Sequence, residues 1–177
     1  MEIRITGWRT EGFWCPDIEI KFKSSDQSHL IQMENGVGKT TTITLIKMAL
    51  FGESNLKVLR TDKSKADNNV ALKQMVRPNA EIGKFTLNCT FDGKKYTYII
   101  VIDKNKIDDQ IIKFYTTTPE SGEGKSSGHI KPQNAKRYLT PEFGLNFIYD
   151  ARKDNNLIEP GDSAKKAIDT LCQFNVL

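Results

Sequence analysis

The sequence holds little with which to staple itself or to bind a metal. Its three cysteines, Cys15, Cys89 and Cys172, are odd in number and far apart. That excludes a disulfide scaffold and a CxxC metal site, and it fits a reducing cytosol. The two histidines, His29 and His129, show no ligand spacing with the cysteines, so a zinc centre is not expected. No apolar run of about 18 residues exists to cross a membrane. The opening stretch, Met1 to Arg9, lacks the uninterrupted apolar segment of a secretory signal, and a cytoplasmic protein without a membrane segment is expected. The excess of one sign of charge is also small. Lys and Arg number 26 against 22 Asp and Glu, a formal +4, which permits a polyanionic partner such as DNA without requiring one. The basic residues are dispersed, as on a solvated surface. No nucleophile stands beside a local base partner.

What is present suits one ordinary domain: 177 residues, 38% hydrophobic and 27% charged, a length that hides roughly 70% of the unfolded surface. No internal repeat or heptad array occurs. Residues 2–6 and 17–23 alternate apolar and polar with period two and are expected to pair as antiparallel strands. His29 to Met33 reads as a third short strand. Lys39 to Phe51 reads as a helix with a broad apolar surface (Ile43, Leu45, Ile46, Met48, Ala49, Leu50), closed by Gly52. A small helix over 68–76 ends before Pro78. Strands over 84–91 and 95–103 then flank Asp92-Gly93, a hairpin dipeptide, and a strand over 110–115 extends the same sheet. The polar stretch 119–131 is expected as a flexible loop, 132–139 as a short helix, 145–149 as an apolar strand or turn, and 163–173 as a helix capped by Asp162 or Ser163.

The informative stretch lies between the expected strand at 29–33 and the expected helix at 39–51: Asn35, Gly36, Val37, Gly38, Lys39, Thr40, Thr41. It reads as a phosphate-binding loop. The glycines let the backbone curl with its N–H groups inward, forming an anion nest at a helix N-terminus whose dipole adds positive potential. Lys39 is expected to reach the terminal phosphates of a nucleotide, and the Thr40 hydroxyl to supply an oxygen ligand to Mg2+, which takes hard donors. The strict pattern places glycine where this chain has Met33. That glycine eases the exit from the strand, so Met33 is expected to cost loop geometry or affinity, and binding is better supported than turnover.

Three other stretches imitate nucleotide motifs. Gly122 to Ser126 has the glycines and lysine of a second such loop, but no strand leads into it and nothing apolar follows. Tyr98 to Asp103 resembles a Walker B strand, yet Lys104 follows the acid, and a hairpin explains it without chemistry. Asn105-Lys-Ile-Asp108 matches the guanine-reading N-K-x-D of GTPases, but no D-x-x-G switch motif accompanies it; a turn suits the same residues.

Taken together, Trp8-Arg9 after the first strand, Met33-Glu-Asn-Gly-Val-Gly-Lys-Thr-Thr41, the helix ending in Leu50-Phe51-Gly52, and the hairpin with Asp92-Gly93 and Tyr96 resemble the N-terminal half of an SMC-like ATPase head. That is the group of the ABC superfamily with RecF, RecN and DndD types. The resemblance covers nearly the whole chain, 1–177, with the phosphate loop as its sharp element. Phe147 to Asp150 is similar to the F-x-F-D-G-E stretch of DndD-type heads, with Ala151-Arg152 in place of Gly-Glu. The resemblance implies an α/β fold, the N-terminal lobe of a P-loop NTPase head with an antiparallel β subdomain, and a coiled coil leaving after residue 174. It implies ATP and Mg2+ as cofactors, and a second head as partner, as a homodimer. DNA and an accessory subunit are further implied partners, in repair, chromosome maintenance or antiviral defence. Arg9 is implied to contact nucleotide phosphates or base. Such heads keep their signature motif, Walker B acid pair and switch histidine in the C-terminal half. ATP hydrolysis is thus expected only when a C-terminal lobe, from the same or another chain, completes this one. The alternatives are a nucleotide-sensing assembly module that binds ATP without hydrolysis, and a P-loop GTPase.

Overall fold

The computed structural model describes residues 2–23, 29–52, 65–107, 110–122, 124–136 and 139. The expected elements at 145–149 and 163–173, the segment Phe147 to Asp150 and the expected coiled coil lie outside them. Six strands form one sheet in the order β2-β1-β3-β4-β5-β6, and every neighbouring pair is antiparallel. They are β1 (Ile3–Glu11), β2 (Glu19–Lys21), β3 (Ile82–Phe91), β4 (Lys94–Asp103), β5 (Ile112–Thr117) and β6 (Ser126–Ser127). Two helices, α1 (Lys39–Phe51) and α2 (Lys65–Met75), make contact with β4, and α1 also with β3.

The alternation along the central hairpin explains why the sheet buries one face. Phe85, Leu87, Cys89 and Phe91 of β3 and Tyr96, Tyr98, Ile100 and Ile102 of β4 are buried, while Lys84, Thr86, Asn88 and Thr90 stay partly open. Side chains in a strand alternate between faces, so one hydrophobic set enters the core. Each large apolar residue fully removed from water contributes about 1.5–3 kcal/mol before the entropy of ordering it is counted. Asp92 (φ 48°) and Gly93 (φ 78°) close this hairpin with both central residues at positive φ, the turn whose twist matches antiparallel strands.

In β1 the pattern changes phase. Ile5 faces Cys89 and Gly7 faces Asn88, so one extra residue is inserted between them. This bulge moves the inward set from odd to even positions: Ile3 and Ile5 pack against the core, and then Trp8 and Thr10 are buried. Arg9, between them, is consequently turned to the opposite face of the sheet.

Three expectations differ from the structure. His29 to Met33 is not a strand. No described strand pairs with it, and Leu30 is 96% exposed; a strand exists only by pairing, which an apolar run cannot guarantee. The stretch 119–131 carries a 3-10 turn at Pro119–Ser121, boxed by reciprocal Thr118 and Ser121 bonds, and then β6, which pairs with β5. Finally, the described residues of 132–139 hold a 3-10 turn at Gln133–Ala135 in place of the expected helix, and Leu139 is buried with its N–H donating to Ala135 O at 2.8 Å.

Candidate functional site

The loop ahead of α1 is shaped by two left-handed residues. Gly36 has φ 82° and Gly38, at the N-cap, has φ 90° and ψ 28°. L-residues with a β-carbon resist this region. Gly38 also lacks room for one: a β-carbon there would run into the main-chain oxygen of Trp14 and lie 2.9 Å from Cys15 Cα. The loop therefore rests directly on the connection between β1 and β2. By contrast, Gly36 has open space around it.

That connection is firmly built. The Thr10 hydroxyl, 1% exposed, donates to Pro16 O at 2.5 Å and accepts from Ile18 N at 3.3 Å. Asp17 Oδ1 accepts from Gly12 N at 2.8 Å, and Asp17 Oδ2 pairs with Arg77 just beyond α2. Burial works against the Asp17 carboxylate, but the Gly12 N–H and the Arg77 guanidinium outweigh it and hold its pKa below the usual value. Trp14 N donates to Met75 O at 3.0 Å, and Phe13 bridges to Val76.

Lys39 opens the helix. Its ammonium donates to Met33 O at 2.7 Å and to Asn35 Oδ1 at 3.2 Å, so it folds back over the loop that precedes it. Thr42 anchors the first turn, with N–H and hydroxyl both on Gly38 O, at 2.9 and 3.1 Å. No side chain caps the helix and no acid sits in its first turn. The positive end of the dipole and the early N–H groups are thus left to whatever anion approaches. Thr40 is exposed and Thr41 half-buried in the same turn, and Val37 is half-buried within the loop. This donor set suits a polyphosphate carried with Mg2+: glycine-shaped backbone, one ammonium, one exposed hydroxyl, and a first helical turn without acids, with Glu34 exposed just ahead of the loop.

Met33 lies within ordinary backbone geometry, since Asp92 is the sole non-glycine at positive φ among the described residues. The exit into the loop does not demand glycine there, and Lys39 uses the Met33 carbonyl, which any residue supplies.

The structure gathers residues 33–42 around the helix start but leaves Arg9 elsewhere. Arg9 projects from the sheet face opposite α1, with Nε 2.5 Å from Glu11 Oε1 and Glu19 across from it on β2. Asp103 ends β4, where its carboxylate accepts from Asn105 N at 2.9 Å. The Walker-B-like and N-K-x-D-like stretches are therefore the end of a hairpin strand and the turn after it; Asp108 lies outside the described residues. The Gly122 to Ser126 imitation feeds β6 and no helix. Among the described residues no group of three or more His, Cys, Asp or Glu could hold a metal, and no helix is long and apolar enough to cross a membrane.

Two residues packed against α1 or its leading loop escaped the sequence reading. Trp14 abuts Gly38 through its main chain, and no spacing in the sequence marks it. His129 packs under the far end of α1, its ring 4.8 Å from Tyr98 and its Nε2 2.7 Å from Ala49 O. No local pattern announces that contact, which spans 80 positions.

No curated protein matches the chain. A family model for an AAA domain matches residues 2–169. With nearly the entire length covered and a glycine-lysine loop at the start of α1, the chain belongs to the AAA-domain family of P-loop ATPases.

Proposed function

We propose that the chain is the ATP-binding, N-terminal half of an SMC-like ATPase head that couples ATP binding and hydrolysis to DNA binding or remodelling. The observation that carries the reading is the helix start itself: Gly36 and Gly38 in left-handed conformations, Lys39 folded over the loop, and a first turn free of acids. Lys39 exchanges two neutral oxygens, Met33 O and Asn35 Oδ1, for phosphate oxygens, a trade of neutral for charge-assisted hydrogen bonds. The loop N–H groups orient the triphosphate, and Thr40 holds Mg2+, which neutralises phosphate charge when bound. A role for Arg9 at the nucleotide requires its guanidinium to leave Glu11.

Catalysis falls to a C-terminal lobe, in the same or another chain, and to a second head. Leu30 and Ile31, exposed just before the loop, support this: among the described residues no strand pairs with them, and they suit pairing with a strand supplied from elsewhere. A reducing, cytoplasmic setting suits the free, buried Cys15 and Cys89.

Binding measured with ATP and with GTP, for the natural chain and Lys39→Ala, tests the first step. The expected result is ATP binding that depends on Lys39. Equal affinity for GTP would favour a GTPase. Adding the C-terminal lobe and following phosphate release with and without DNA tests the second. Turnover raised by DNA is expected, whereas intact binding with no turnover would mark a nucleotide-sensing assembly module. That second reading draws on Asp103, whose carboxylate is engaged in its own turn.

A further inference from the structure

We infer that the sheet face opposite α1 binds single-stranded nucleic acid, with its lysines on the phosphates and Tyr115 under a base. The inference deepens the DNA side of the function proposed above and rests on that reading for its partner. Strand register defines the face. Arg9 on β1, Thr86 on β3, Ile99 on β4, Tyr115 on β5 and Ser127 on β6 stand in one cross-strand row. On one side of that row lie Lys84, Val101 and Lys113, and on the other Asn88, Thr97 and Thr117. Alternate residues of a strand share a face, so all of these point away from the core that Leu87, Tyr98 and Phe114 help to fill.

Charge on this face is lopsided. Toward β2, Arg9 pairs with Glu11 and Lys21 with Glu19. Across β3, β4 and β5, Lys84, Lys95 and Lys113 make no ion pair among the described residues. The only acid in those three strands, Asp103, ends β4 with its carboxylate on Asn105 N. Lys84 and Lys113 flank Val101, about 10 Å apart at the usual strand spacing, and Lys95 lies about 20 Å further along β4. Between these cations the surface is hydroxyl and amide. Thr97 Oγ1 donates to Asn88 Oδ1 at 2.9 Å, which leaves the Asn88 amide hydrogens and the Thr86 and Thr117 hydroxyls for phosphates or base edges. The partner that complements this pattern is a polyanion. Its form follows from the centre of the face, where half-buried Tyr115 sits beside Ile99 and Val101. A duplex keeps its bases stacked inside and meets a sheet through phosphates, to which an aromatic ring among aliphatic side chains offers nothing. An unstacked base has a π surface that such a ring receives whatever its identity.

The test is fluorescence anisotropy of the full chain with a short labelled oligothymidylate and with a DNA duplex of the same length, while ATP affinity is measured separately. The single strand should bind more tightly than the duplex. Tyr115→Ala should weaken it by about ten-fold, and Tyr115→Phe should restore it. Tyr115→Leu, which keeps bulk without a π surface, should weaken it as alanine does. Removing Lys84 and Lys113 together as alanines should lower the slope of log affinity against log salt by about 0.7 for each lysine. Lys73→Glu removes the same net charge from α2, whose Leu72 packs into the core on the other side of the sheet, and should leave the single strand bound. Thermal melts check that each variant folds, and ATP affinity should be the same in all of them. A duplex bound as tightly as the single strand, or indifference to Tyr115→Ala and Tyr115→Leu in folded protein, would overturn the inference. So would an equal loss from Lys73→Glu, which would reduce the effect to overall charge. ATP bound without any oligothymidylate defeats this inference alone and leaves the face to an acidic protein. Oligothymidylate bound through Tyr115 without any ATP defeats the nucleotide reading and leaves the face standing.

Discussion

Alanine at Gly36 and at Gly38 separates two demands that the phosphate loop makes on its glycines. Both residues sit at positive φ, 82° and 90°, so each substitution pays the left-handed penalty of about 1–2 kcal/mol. Only at Gly38 is there a second cost. A new β-carbon there meets the Trp14 carbonyl group and Cys15 Cα, main-chain atoms rather than a side chain that can swing away. Those atoms are tied down by the Trp14–Met75 hydrogen bond, so the strain of overpacking adds about 1–3 kcal/mol. Gly36→Ala should therefore lose about 1–2 kcal/mol and Gly38→Ala about 2–5 kcal/mol. For a chain of this size each kcal/mol is worth about 2–4 °C in Tm. Thermal melts read by circular dichroism, with urea midpoints as a second measure, should place Gly38→Ala well below Gly36→Ala. Equal losses would mean that the loop does not rest on the 14–15 main chain, and the argument that fixes Trp14 beside it would fail.

Other substitutions probe the core and its pH response. His129 is held neutral: burial lowers its pKa below 6.5, with Lys131 adding to the effect, against the opposing hydrogen bond to Ala49 O. The unfolded chain takes up a proton that the folded one refuses, so stability should fall as pH drops below 6.5 toward the folded value. His129→Gln should flatten that slope, as read from urea midpoints across a pH series; an unchanged slope refutes the assignment. Tyr98 is 1% exposed and its hydroxyl has no hydrogen-bond partner among the described residues. Tyr98→Phe should accordingly be neutral or stabilising by about 1 kcal/mol, and a clear loss of stability would point to a partner for that hydroxyl. Lys39→Ala should cost little stability, since its bonds to Met33 O and Asn35 Oδ1 are partly exposed, while tripolyphosphate binding is lost; a large drop in Tm would show that the lysine is structural.

What the sequence disclosed, and what it hid, follows from the range of each interaction. The β3–β4 hairpin was legible because its turn dipeptide and its two-residue alternation are local, and α1 because its apolar positions cover more than one face, from Leu45 to Phe51. The turn ahead of α1 was legible because Gly36 and Gly38, both at positive φ, stand just before a helix-forming run. The β1 bulge was not, although Ile3, Ile5, Trp8 and Thr10 carry its phase shift. Its meaning emerges only opposite Cys89 and Asn88. Likewise 29–33 has the composition of a strand, but among the described residues no strand lies beside it to pair. The polar segment before His129 resembled a slack loop until Thr116, whose hydroxyl donates to Gly128 O at 2.9 Å and accepts from Ile130 N at 3.0 Å, fastened it to β5.

The lysine's grip on Met33 has a bearing on how such loops diverge. Because the ammonium reads a peptide oxygen common to all amino acids, substitution at 33 leaves that partner intact, whereas position 38 is closed on two sides by shape and by dihedral angle. Mutational freedom in this loop is therefore graded from its front to its back, and a search template that insists on the leading glycine would pass over sequences built like this one.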